Sequence, residues 1–122
     1  MKRNTLMFLA YGALIAFVSL RPADGISVGS YDKITHFATY AVLAMLAARL
    51  RLPRLRYVVL LHVLVLYGGV LEFAQSFVPG RHMSGLDFLA NTLGIVAGAI
   101  ISAIVLAHMR SRQKLREEAR SC

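Results

Sequence analysis

Four apolar runs constrain what this 122-residue chain can fold into more than any other feature. The first, Thr5 to Leu20, carries no charge, and the second runs from Ile34 to Leu50. The third, Tyr57 to Val78, holds Glu72 as its only charge, and the fourth, Leu86 to Met109, has Asp87 near its start. A membrane-spanning helix needs about 20 residues, with a range of roughly 17–25. Runs three and four reach that alone. Runs one and two reach it by borrowing flanking residues such as Asn4, Arg21 and Lys33. A soluble four-helix bundle would show polar stripes at helical spacing, and runs one and four show none. Backbone groups in lipid must be satisfied internally, which selects helices over isolated strands. The reading is therefore all-α: an integral membrane four-helix bundle. Its helices cover about 5–20, 34–50, 57–78 and 86–109 in one domain over 1–109, followed by a basic tail over 110–122.

Composition and charge fit that reading. Charged residues make up 16% of the chain and apolar ones 57%, where a soluble domain carries about 25% charged. This excludes an ordinary cytosolic enzyme and a disordered tail. The net charge of +8 sits between apolar runs rather than among aromatics, so it marks topology and not a nucleic-acid surface. Lys2 and Arg3 precede run one, and Arg49, Arg51, Arg54 and Arg56 separate runs two and three. Arg110, Arg112, Lys114, Arg116 and Arg120 follow run four. The alternate loops hold only Arg21, Lys33 and Arg81. The positive-inside rule then puts both termini in the cytoplasm and the loops Arg21–Lys33 and Pro79–Gly85 outside. Run one lacks a small-x-small site after Leu20, so it reads as a span rather than a cleaved signal. Cys122 is the only cysteine, which excludes a disulfide framework and a Cys/His zinc pattern.

The polar residues within the runs cluster at one depth. Asp32, His36 and Tyr40 are four apart and share a helical face beside Lys33 at the start of run two. Glu72 and Gln75 lie near the end of run three, Arg81 in the loop after it, and Asp87 and Asn91 at the start of run four. At 1.5 Å per residue, Glu72 lies about 9 Å inside the end at Val78. Three segments thus bring polar groups to the outer third of a membrane. A charge at the membrane centre costs roughly 2.5–3.5 kcal/mol on insertion scales, and less near an interface. These groups should therefore face one another. Their plainest use is a buried network pairing Glu72 with Arg81 or Lys33, and Asp87 with His36. Intramembrane ionisable groups are equally the default candidates for a functional site.

The same residues carry a resemblance. The patterns are Asp32-Lys33-x-x-His36-Phe37-x-x-Tyr40, then Gly69-x-x-Glu72-x-x-Gln75 with Pro79-Gly80-Arg81, then Asp87-x-x-Ala90-Asn91-x-x-Gly94-x-x-x-Gly98. In order and spacing they resemble the VanZ-like family, named for a teicoplanin-resistance protein. The likeness covers about residues 31–98. It implies a small multi-pass protein of the bacterial inner membrane with this polar set as its signature. For some members it also implies low-level resistance to lipid-bearing glycopeptides. It supplies no settled biochemical mechanism.

Chemically, Glu72 is the best candidate acid or base, and Asp87 can orient His36 or take a proton itself. Arg81 and Lys33 can clamp a phosphate, the arginine with bidentate geometry. Asp32, Lys33, Tyr40, Gln75, Arg81 and Asn91 complete a ligand-binding set around the candidate catalytic Glu72, Asp87 and His36. Lipid head groups and lipid-linked envelope precursors carry phosphates at that depth, so they are the expected partners. An enzyme acting on such a head group and a structural or assembly subunit are the alternative readings. His36, Glu72, His82 and Asp87 show no paired spacing such as H-E-x-x-H, so no metal and no cofactor is expected. Ser84 lacks an obvious base at fixed spacing for a nucleophile. His62, in an apolar stretch, is expected to make an interhelical hydrogen bond. Ala90, Gly94, Gly98 and Ser102 repeat every four residues, a helix-packing face within the chain or between copies in a homo-oligomer. Gly68-Gly69 allows close approach or a bend below Glu72.

Overall fold

The computed structural model describes residues 2–22 and 29–121, with side chains from Asp32 onward in the second stretch. Most of the expected first outward loop lies outside the described residues, as does Cys122. The described residues form four α-helices and no strand: α1 Lys2–Ser19, α2 Gly29–Ala48, α3 Arg54–Gln75 and α4 Gly85–Ser121. The first three hold 18, 20 and 22 residues. At 1.5 Å per residue they are about 27–33 Å long, close to the roughly 30 Å of a bilayer's hydrocarbon core. α3 and α4 are each long and apolar enough to cross a membrane. α4 runs unbroken for 37 residues through the basic stretch, so the tail extends that helix rather than forming one of its own. α2 begins at Gly29, before the apolar run, and takes in Asp32 and Lys33.

Side-chain bonds to backbone carbonyls fix how the helices lie. The Asn4 amide donates to the Arg49 carbonyl just past α2, at 2.9 Å, so α1 and α2 are antiparallel. The Tyr67 hydroxyl donates to the Gly12 carbonyl at 2.6 Å and the Gln75 amide to the Ser19 carbonyl at 3.1 Å, so α1 and α3 run parallel. The Ser19 and Arg49 carbonyls are among those a helix end leaves without an internal partner, and these bonds satisfy them. The result is an up-down-up-down bundle with the C-terminal ends of α1 and α3 beside the N-terminal ends of α2 and α4.

The core centres on α2, which contributes Tyr40, Leu43, Ala44 and Ala47 to a cluster completed by Ile15, Leu64, Leu71 and Ile95. In such a bundle the parallel pair α2 and α4 would lie on a diagonal and apart. Here they touch because α4 offers glycine. A Cβ at Gly94 would run into the carbonyl oxygen of Phe37, and one at Gly98 into that of Ala41. Gly94 and Gly98 of the small-residue repeat are thus seated within the chain, against the α2 backbone. Outside the core the surface stays apolar. Leu55, Leu66, Val70 and Phe73 of α3, and Phe77 just after it, are 60–75% exposed. Soluble monomers seldom show contiguous apolar patches beyond a few hundred Å².

Candidate functional site

One end of the bundle holds the polar set. Glu72, Gln75, Asp87 and Asn91 are all buried, with exposures of 3, 4, 8 and 2%. α3 contributes Glu72 and Gln75 one turn apart, and α4 contributes Asp87 and Asn91 at its start. α2 contributes Asp32, His36 and Tyr40 from one face. Gly68 gives the Tyr40 ring room, since a Cβ there would sit 3.1 Å from it, and Gly69 does the same for Phe88. This is the close approach the Gly68-Gly69 pair suggested.

His36, Asn91 and Glu72 form a bonded chain across three helices. Asn91 Nδ2 donates to Glu72 Oε1 at 3.4 Å. That fixes the amide so that Asn91 Oδ1 faces His36 Nδ1 at 3.0 Å. His36 Nδ1 also lies 3.5 Å from Glu72 Oε1. With two acceptors around it, Nδ1 is a donor. Nε2 in turn points at Asp32 Oδ1, 3.7 Å away.

The partners differ from the pairs the sequence suggested. Among the described residues Glu72 meets His36 and Asn91, and no Lys or Arg ion pair reaches it. The backbone N–H of Ser84 donates to its second oxygen at 3.5 Å. Arg81 instead donates its Nε to the Arg21 carbonyl at 3.1 Å. Lys33 stands exposed on α2, away from Glu72. Asp87 is not paired directly with His36, and its Oδ1 is buried with no hydrogen-bond partner. His62 bonds its own helix, with Nδ1 donating to the Val58 carbonyl at 2.8 Å, rather than a neighbouring helix. His82 is exposed in the loop.

Next to this chain lies a cavity of about 360 Å³. Asp32, Thr35, His36, Gln75 and Arg81 line it on one side, and Leu14, Ile15 and Val18 of α1 on another. Tyr40 lines it too. Glu72 and Asn91 do not line it and meet it through His36. A turn aims Arg81: its N–H bonds the Val78 carbonyl at 3.1 Å, and Gly80 between them has φ 76°. Proline second and positive-φ glycine third is the residue pattern of a type II turn.

A family model described as VanZ/LLP1 matches residues 2–106. The chain belongs to that family. Comparison with curated proteins and with solved structures returned no match. In this VanZ/LLP1 chain the signature residues therefore divide into a buried chain, His36–Asn91–Glu72, and a cavity wall, Asp32–His36–Tyr40–Gln75–Arg81. Lys33 joins neither.

Two features of the site are absent from that sequence reading. α1 enters through Tyr11, Leu14, Ile15, Val18 and Ser19, with the Tyr11 hydroxyl donating to the Thr39 carbonyl at 3.4 Å. Ser84 caps α4, its Oγ accepting from the Asp87 N–H at 3.3 Å. The Ser84-x-x-Asp87 spacing ahead of an apolar run is a capping-box signal that would have identified it.

Proposed function

We propose that all four helices span a bacterial inner membrane with both termini in the cytoplasm, and that the cavity binds a phosphorylated head group at the outer leaflet. The ligand is a phospholipid or a lipid-linked envelope precursor, and its capture influences resistance to lipid-bearing glycopeptides. The observation that carries this reading is the two-sided cavity. Arg81, His36 and Gln75 supply donors on one side, while Leu14 and Val18 supply an apolar wall on the other. That is the shape of a lipid, a charged head on an apolar chain. Arg81 uses Nε on a backbone carbonyl, which leaves both terminal guanidinium nitrogens for a phosphate. The apolar outer surface and the length of α1–α3 support the membrane setting, and membership of the VanZ/LLP1 family is consistent with a resistance-associated role.

Native mass spectrometry of the protein in mild detergent tests the reading. Wild type should carry a phosphate-bearing lipid, and Arg81→Lys, which keeps the charge and loses the fork, should carry much less at equal abundance. Glycopeptide tolerance should fall in parallel. Equal lipid and full tolerance in the variant would overturn the proposal. Failure of the variant to accumulate would favour a structural subunit instead. Turnover of the lipid that stops with Glu72→Gln or Asp87→Asn would make the protein an enzyme.

A further inference from the structure

The bonded chain leaves three electron-rich groups facing one another with nothing assigned to hold them. His36 Nδ1 donates toward Asn91 and Glu72, so in the neutral ring the Nε2 lone pair faces Asp32 Oδ1 at 3.7 Å. The Asp87 carboxylate is the third: the residue is 8% exposed and one of its oxygens, Oδ1, is buried with no hydrogen-bond partner. One ligand atom from each of Asp32, His36 and Asp87 lies within 4.8 Å of the others. An imidazole lone pair and two carboxylates repel unless a cation, or a proton on Nε2, lies between them. The capping box makes the point sharper. Asp87 sits where a capping-box carboxylate would return to the Ser84 N–H, but Glu72 accepts from that N–H. Asp87 is thus kept available.

We infer that Asp32, His36 and Asp87 form a binding site for a divalent cation of the zinc or manganese class. Imidazole suits zinc and iron, carboxylates suit manganese and magnesium, and one nitrogen with two oxygens falls between. Ligand bonds of about 2.0–2.2 Å allow opposed ligand atoms to sit up to about 4.4 Å apart. His36 and Asp32 are already within that limit at 3.7 Å, and the Asp32 side chain, 53% exposed, has room to adjust. Three protein ligands leave a coordination position open, the arrangement of sites that bind a further ligand rather than only a structural ion. The chain also supplies the support such a site requires. A ligating histidine normally gives its other N–H to an acceptor that fixes the ring, and Asn91, itself held by Glu72, does this for His36. A cation here resolves a further conflict, since Asp32 would otherwise repel any anion brought to Arg81 across the same cavity. The site does not rest on the lipid reading, because its test contains no phosphate.

Full-length protein, purified in mild detergent without a histidine tag and stripped with a chelator, is titrated calorimetrically with ZnCl2 and with MnCl2 in a phosphate-free buffer. Wild type should bind about one equivalent of at least one of these metals and gain melting temperature on loading. His36→Gln and Asp87→Asn should each weaken binding by at least about tenfold, since loss of a mere supporting partner already costs that much. His62→Gln, which alters a histidine bonded only to its own helix, should bind as wild type does. Asp32→Asn, at a half-exposed position, keeps the test readable if the buried variants fail to accumulate, and it too should weaken binding. Absence of metal binding by wild type would overturn the site and leave a protonated His36 paired with Asp32. Unchanged affinity in Asp32→Asn and Asp87→Asn, or equal loss in His62→Gln, would also overturn it. Metal binding by a wild type that carries no phosphate-bearing lipid would count against the head-group reading alone.

Discussion

Glu72 shows how burial and partners decide what a charged residue does. It is 3% exposed, and its two oxygens accept from Asn91 and from the Ser84 backbone, with His36 beside them. Glu72→Gln keeps the shape, but an amide cannot accept at both ends. Its nitrogen must face the Asn91 amide or the Ser84 N–H, donor against donor. An unsatisfied buried group costs about 1–3 kcal/mol. Thermal unfolding in detergent should show that loss for Glu72→Gln. Arg81→Gln, which removes one bond to the Arg21 carbonyl, should cost about 1 kcal/mol or less. Equal losses would mean that Glu72 and Arg81 pair after all, as their shared depth suggested. Shared depth did not identify the partner, because the turn at Pro79-Gly80 carries Arg81 toward the end of α1, while Glu72 meets α2 and α4.

At the scale of the helices, the seam between α2 and α4 depends on absent side chains. Cβ atoms at Gly94 and Gly98 would overlap backbone carbonyls, which cannot rotate away as a side chain can. Gly94→Ala and Gly98→Ala should each destabilise the bundle by about 1–3 kcal/mol, the range for overpacking a tight contact. Gly12→Ala is the matched control. Nothing lies within 4 Å of its Cβ position in α1, so relief of glycine's entropy should leave stability unchanged or raise it by about 0.5–1 kcal/mol. Melting temperatures of the three variants decide the matter. A seam that tolerates alanine at both positions would mean that α2 and α4 stand further apart. The same seam sets the site, because Phe37 and Ala41 flank His36 and Tyr40 on α2, just as Gly94 follows Asn91 on α4. Widening it would pull His36 from Asn91.

For the whole molecule, the distribution of basic residues fixes the expected topology. α4 is about 55 Å long at 1.5 Å per residue, well beyond an apolar core of about 30 Å. If the bundle spans a membrane as proposed, its last turns, from Arg110 to Arg120, should project from it on the side that holds Arg49–Arg56. Cysteine labelling checks this. Met83, 59% exposed between α3 and α4, is changed to cysteine in a Cys122→Ser background. The Met83→Cys protein should react with an impermeant maleimide in intact spheroplasts. The native Cys122 should react only after lysis. The reverse pattern would invert the molecule and put the polar cavity at the cytoplasmic leaflet.

The sequence by itself determined the helices, because chain-long apolar runs leave no other way to satisfy the backbone. It also determined the common level of the polar residues, because depth in a helix bundle follows directly from position along each run. The family resemblance rested on the same spacings. What it could not determine was direction around each helix axis across three contacts at once. Only the packed structure decided that Glu72 meets His36 and Asn91 rather than Arg81, and that Gly94 and Gly98 seat against α2. It alone brought α1, with Leu14, Ile15 and Val18 between Tyr11 and Ser19, to the cavity. Partner choice in a bundle depends on which backbones can approach most closely. That is set by the glycines of α4 meeting carbonyls of α2, a contact between residues more than fifty positions apart.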